Sequence, residues 1–242
     1  MALIELQGVS RRFDLGAGPV WAVRDVSLAI AEGDFVAFSG PSGSGKTTLF
    51  NLMACLLPPS EGSVSFAGRD VSRLDPTAAA RLRHEHFGFV FQGFNLLPVL
   101  SAFENVELPL LLTRQGAAER RRRVLDQLAA LDIAELADHR PNQMSGGQKQ
   151  RVAIARALVT EPRVVIADEP TANLDSESGR LVLELARRLH SERRITFVYS
   201  SHDPEMVALA HRTVRLKDGR IVGDSTRETP PHSVPQEEIV HV

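Results

Sequence analysis

The run Gly40-Pro41-Ser42-Gly43-Ser44-Gly45-Lys46-Thr47 has the spacing G-x-x-x-x-G-K-T. Glycines at these intervals let successive backbone N–H groups turn inward, and a phosphate is the ligand that can accept from several of them at once. Lys46 would then reach the β- and γ-phosphates of a nucleotide, and Thr47 would offer its hydroxyl to Mg²⁺. A Gly/Ser connection without function is the alternative. Against it, an apolar strand pattern precedes the run and a helical pattern follows, and a helix N-terminus adds its partial positive charge to the phosphate site.

Phosphoryl chemistry also needs a carboxylate on a neighbouring strand. Residues 163–169 read RVVIADE, a buried-type run that ends in Asp168, at the strand end where open α/β sheets place their ligands. Glu169 follows directly and can face an attacking water while Asp168 faces the metal. Paired carboxylates can instead cap a surface turn, but buried strands seldom end that way. His202 comes just after an apolar strand over 196–200 and is expected at the same sheet edge as Asp168.

A second candidate is Ser145-Gly146-Gly147-Gln148, placed directly before a helix. Ser145 and Gln148 have the spacing of a capping box. Two consecutive glycines exceed what a cap requires and leave bare N–H groups at a helix N-terminus, a second anion site. One nucleotide needs only one full cradle. A head-to-tail dimer resolves this, with the loop of one chain closing over the nucleotide held by its partner.

The elements that must position these residues alternate in type. Strands are expected over 4–6, 27–30, 35–39, 63–67, 88–91, 164–167, 196–200 and 214–216, with a hairpin turning at Asp218-Gly219. Helices are expected over 47–57, 117–131, 148–159 and 177–190, the last burying Leu181, Val182, Leu185, Ala186 and Leu189. Cys55 falls inside the first helix as a small core residue. Between 94 and 144 strand signals give way to helical ones, so a helical insertion is expected there. After Gly223 the chain becomes polar and Pro-rich, which predicts a disordered tail over 224–242.

Bulk properties narrow the class. The 242 residues are 43% hydrophobic and 24% charged, so wholesale disorder is excluded. Lys plus Arg is 28 against Asp plus Glu at 30, a net charge of −2 that disfavours a nucleic-acid backbone as partner. Arg120 to Arg123 lie on an amphipathic helix and read as a solvated face. One cysteine excludes an intrachain disulfide scaffold. No run is apolar for the length a membrane helix needs, and the N-terminus has no signal pattern, so a cytosolic globular protein is expected.

The phosphate loop, the Ser145-Gly146-Gly147-Gln148 signature and the Asp168-Glu169 pair, in this order, resemble the nucleotide-binding subunit of an ABC transporter over about residues 3–223. The helical insertion, with Phe91-Gln92 and the FNLLP segment, resembles the lipoprotein-release and macrolide-efflux branch. The resemblance implies an α/β P-loop NTPase core with an antiparallel β subdomain and an inserted helical subdomain over about 94–160. It implies an ATPase that takes ATP and Mg²⁺, dimerises on ATP binding and drives a separate integral membrane permease, in export or extraction from the membrane. The chain would sit peripherally on the cytoplasmic face of the cell membrane.

Further roles follow from the resemblance. Gln92, with Thr47 and Asp168, belongs to the Mg²⁺ site and senses the permease. Thr48 joins the loop residues that bind nucleotide. Phe13 takes the place of the aromatic residue that stacks on adenine. Asn173-Leu174-Asp175 matches the loop that communicates across the dimer. Ser145 and Gly147 match residues that contact the partner's γ-phosphate, and His202 the histidine that contacts the γ-phosphate. Met144, Lys149 and Ser201 depart mildly from the family's pattern. A regulatory ATPase that signals through a membrane partner, and a soluble ABC ATPase on nucleic acid, stand as alternatives. The second usually carries two cassettes or a long coiled-coil or zinc insertion, and this chain shows neither.

Overall fold

The structure, a computed structural model, describes residues 2–16 and 18–226. Two sheets carry it. The first is antiparallel: β1 (Ala2–Leu15) and β2 (Gly18–Ala31) form a long hairpin, and β4 (Glu61–Phe66) pairs with β1 and with the short β5 (Arg69–Asp70). The hairpin far exceeds the two short strands the sequence suggests. Register shifts near Leu6, Val9 and Arg11 interrupt the two-residue alternation, so the pattern reads as several fragments.

The second sheet contains β3 (Phe35–Ser39), β6 (Phe87–Phe91), β7 (Val164–Asp168), β8 (Thr196–Ser200), β9 (Arg212–Lys217) and β10 (Arg220–Thr226), in the order β10-β9-β3-β8-β7-β6. All pairings are parallel except the edge hairpin β9–β10. Period-2 alternation divides the strands between two cores. Val36, Phe38, Val164, Ile166 and Val198 face one cluster, where α1 (Lys46–Met53) contributes Leu49, Phe50, Leu52 and Met53. Phe35, Ala37, Val165, Ala167, Phe197 and Tyr199 face the other, with residues of α5 (Gly146–Leu158) and α6 (Ser176–Arg193). Cover on both faces explains the uninterrupted apolar runs.

Between β6 and β7 the described residues hold no strand; α3 (Ala102–Glu107), α4 (Ala117–Ala130) and α5 fill the interval with short 3₁₀ turns. On α4 and just past it, Val124, Leu128 and Leu131 are fully buried, as their spacing predicts. The helix α2 (Pro76–His86) has no counterpart in the sequence reading. Asp75 caps it by accepting from the N–H groups of Thr77 and Ala78 at 2.9 Å. The last helix, α7 (Pro204–Ala208), follows β8.

Several expectations are corrected. The first helix stops at Met53, not near 57: Cys55 takes a φ of 53° and the N–H of Leu56 bonds back to the carbonyl of Asn51 at 2.8 Å, a C-terminal lock that ends the helix before the prolines. Cys55 therefore lies beyond the helix. On α6 the buried stripe is Gly179, Val182, Leu183, Leu185, Ala186, Leu189 and His190, and Leu181 is 44% exposed at its margin. The tail does not begin at 224. Residues through Thr226 belong to β10, where Arg212 binds both carboxylate oxygens of Asp224 at 2.8 and 2.6 Å. The rest of the expected tail lies outside the described residues.

Candidate nucleotide-binding site

β3 delivers the glycine loop and α1 begins at its lysine. Gly40 has a φ of 150°, and a Cβ there would stand 2.2 Å from the carbonyl oxygen of Leu216. Gly45 has a φ of 102°, and its Cβ would stand 2.3 Å from the carbonyl oxygen of Ala22. Side chains at either position would push the loop off β9 or off the β1–β2 hairpin.

Lys46 is 7% exposed, and its Nζ donates to the carbonyls of Gly40 at 2.8 Å and Pro41 at 3.2 Å. The same ammonium lies 3.9 Å from Glu169 Oε1. Thr47 Oγ1 donates to Asp168 Oδ2 at 2.6 Å, which joins the loop to the acidic strand end. Glu169 Oε2 lies 3.0 Å from His202 Nδ1. A carboxylate only accepts, so Nδ1 carries the proton of that bond. These groups converge on a cavity of about 580 Å³ lined by Ala22, the loop from Ser42 to Thr48, Gln92, Asp168, Glu169, Ala172 and His202.

Not every predicted residue lines this cavity. Gly40 and Pro41 shape the loop from behind. Phe13 sits on β1 opposite Val20, with the Arg11 guanidinium 4.9 Å over its ring, and is not among the lining residues. Ala22, on the paired strand β2, is the hairpin's contribution to the wall.

Ser145, Gly147 and Gln148 line a different cavity, of about 240 Å³, together with Arg151, Ser178 and Leu181. The capping box is present: Ser145 Oγ accepts from the N–H of Gln148 at 3.3 Å, and Gln148 Oε1 accepts from the N–H of Ser145 at 2.9 Å. A Cβ on Gly146 would stand 3.1 Å from Leu174, so the signature packs on the 173–175 loop. In that loop Asp175 caps α6, and the N–H of Ser178 holds its carboxyl below the usual range. Asn173 Nδ2 donates to the carbonyl of Gln92 at 2.6 Å, tying the loop to the cavity wall.

The residues fit Mg²⁺ bound with a nucleotide. Thr47, Gln92 and Asp168 offer hydroxyl, amide and carboxylate oxygens, the hard donors this ion takes, and the Thr47–Asp168 bond shows two of them converging.

Sequence reasoning missed two residues here. Ser200 Oγ donates to Asp168 Oδ1 at 2.7 Å, and Arg156 grips the chain just after Gln92. The available signals were a hydroxyl ending an apolar strand and a cation on a mostly apolar helix.

Residues 23–172 match the family model described as ABC transporter. The chain belongs to the ABC transporter family. It is a nucleotide-binding domain of the ABC ATPase type, and its relatives bear this out. The macrolide export ATP-binding/permease protein MacB of Burkholderia pseudomallei is 49% identical over 92% of this chain, and the match spans only 34% of that protein's length. An uncharacterized ABC transporter ATP-binding protein of Thermotoga maritima is 47% identical over 93% of this chain and 96% of its own. Among solved structures, the ATP-binding cassette MJ0796, a dimer in a post-hydrolysis state bound to ADP and Pi, superposes with a TM-score of 0.86 at 40% identity, covering 93% of this chain and 100% of that one. CbiO1 of Clostridium perfringens, part of the transporter complex CbiONQ, superposes at 0.84 with 29% identity, covering 93% of this chain and 88% of that one.

Proposed function

We propose that this ABC domain hydrolyses MgATP in a head-to-tail dimer and thereby drives a membrane permease, in export of a substrate or its extraction from the membrane. One observation carries the reading: the phosphate loop lines one cavity of the chain, and Ser145, Gly147 and Gln148 line another. Two copies turned head to tail make one complete site from the two halves. The dimeric MJ0796 structure supports dimerisation.

Each residue then has a defined task. The loop amides and Lys46 stabilise charge on the β- and γ-phosphates, and Phe13 stacks on the adenine. Thr47, Gln92 and Asp168 hold Mg²⁺, which neutralises phosphate charge when bound. Glu169 orients the attacking water. His202, held by Glu169 at 3.0 Å, contacts the γ-phosphate. Ser145 and Gly147 reach the nucleotide of the partner chain.

Residues 1–223 read as one ATP-binding domain extended by the end of β10, with 94–160 as a helical subdomain. The permease face follows from exposed apolar residues in this region: Leu97, Val99, Leu111 and Leu112 are 46%, 70%, 52% and 76% exposed. Leu112 lines a cleft of about 450 Å³ together with Phe89, Phe91 and Leu108. Exposed apolar side chains beside an apolar cleft are the kind of surface a partner covers. Among the described residues no helix is long and apolar enough to cross a membrane. We place the domain at the cytoplasmic membrane face, where ATP is found. Arg120, Arg122 and Arg123 pair with Glu107, Glu119 and Glu161, which leaves little free positive charge for a nucleic-acid backbone; Arg122 is solvated as expected, but Arg120 and Arg123 are largely covered.

Glu169→Gln tests the reading. It should keep MgATP binding, stop hydrolysis and, on size exclusion with MgATP, elute as a dimer. Adding Ser145→Arg should return it to monomer. A double variant that still dimerised on ATP would show that the two cavities are not halves of one site.

A further inference from the structure

Ser200 ends the strand that lies between the phosphate-loop strand and the acidic strand, in the order β3-β8-β7. It is fully buried, and a hydroxyl there must find partners or destabilise the fold. Both of its partners are in the acidic pair. Oγ donates its one proton to Asp168 Oδ1 at 2.7 Å and accepts from the backbone N–H of Glu169 at 2.8 Å.

We propose that Ser200 is the positioning residue of the hydrolytic site, fixing where Asp168 and Glu169 point. The proposal rests on the reading of those carboxylates as metal-side and water-side groups. With Oδ1 of Asp168 taken by Ser200, Oδ2 is the oxygen left for the phosphate-loop side, where Thr47 already meets it at 2.6 Å. Glu169 takes a φ of 49°, a left-handed conformation that a residue with a Cβ adopts only when its surroundings impose it. The bond from its N–H to Ser200 holds that turn. The turn brings the Glu169 carboxylate to 3.9 Å from Lys46 Nζ and 3.0 Å from His202 Nδ1. One hydroxyl thus orients a side chain on one residue and the backbone of the next.

Ser200→Ala is the test, measured by steady-state ATPase kinetics and by Mg²⁺ titration at fixed ATP. The variant should lower kcat by about tenfold or more, the scale expected when a hydrogen bond to a charged acceptor is lost. It should also raise the Mg²⁺ concentration needed for half-maximal ATP binding, read by calorimetry on the variant, while KM for ATP changes by less than about threefold because the loop contacts remain. Wild-type kcat and Mg²⁺ dependence, with only a lower Tm, would overturn the proposal. So would a raised KM at unchanged kcat. Asp168→Asn and Glu169→Gln are run alongside. If they retain turnover, the reading of the acidic pair fails and takes Ser200 with it. If they lose turnover and Ser200→Ala does not, the positioning role alone fails.

Discussion

Arg156 donates from Nη2 to the carbonyl of Phe94 at 2.8 Å, and its Nη1 reaches the carbonyl of Asn95 at 2.5 Å. Both acceptors have positive φ, 61° and 49°. The helix α5 therefore carries the signature at its first turn and a grip on the segment after Gln92 at its last. Burial pushes the pKa of this guanidinium down, and its bonds go to carbonyls, so its fork holds the backbone rather than a counter-charge.

Arg156→Ala should leave those two carbonyls without their donor, costing about 2 kcal/mol. For a chain of this size that lowers Tm by roughly 4–8 °C. Differential scanning calorimetry reads the loss. Turnover should fall as well, because the segment that leads from Gln92 to the exposed apolar face is released.

Cys55 is the single cysteine of the chain, and burial, opposed by the charge of Arg83, pushes its thiol up to about 11. At pH 8 about one thiol in a thousand is ionised, so iodoacetamide should react about a hundredfold more slowly than with the unfolded chain. Rapid labelling under native conditions would contradict the burial. The folded value lies above the unfolded one, so the contribution of this thiol to stability is complete below about pH 9. It is lost as pH rises from there toward 11.

Asp224 tests where the ordered chain ends. The fork of Arg212 is the main cause that holds its carboxyl below the usual range. A lowered folded value means that the pair stabilises above about pH 4 and is lost as pH falls through the folded pKa. The pair is partly exposed, so Asp224→Asn should cost about 0.5–1 kcal/mol near neutrality, roughly 1–4 °C in Tm. In acid the variant and the parent should converge. A chain cut after Gly223, the boundary that composition suggests, should lose at least as much.

The amino-acid sequence alone determined the features that are contiguous. The phosphate loop, the Asp168-Glu169 pair and the Ser145–Gln148 capping box each lie within a few residues, where spacing and local propensity act directly. The doubly covered parallel strands were legible for the same reason, since burial on two faces is written into each run. Only the tertiary structure decided how these pieces meet. Thr47 and Asp168 are 121 residues apart, Arg156 and Phe94 are 62 apart, and Ser200 and Asp168 are 32 apart. Bonds across such separations depend on strand order and helix packing, which no window of sequence contains. The same holds for the two cavities that keep the phosphate loop and the signature apart within one chain. Where Leu181, Cys55 and Asp224 departed from expectation, a helix phase, a left-handed C-terminal lock and a partner on the adjacent strand outweighed local composition, because packing energies exceed propensities of a few tenths of a kcal/mol per residue.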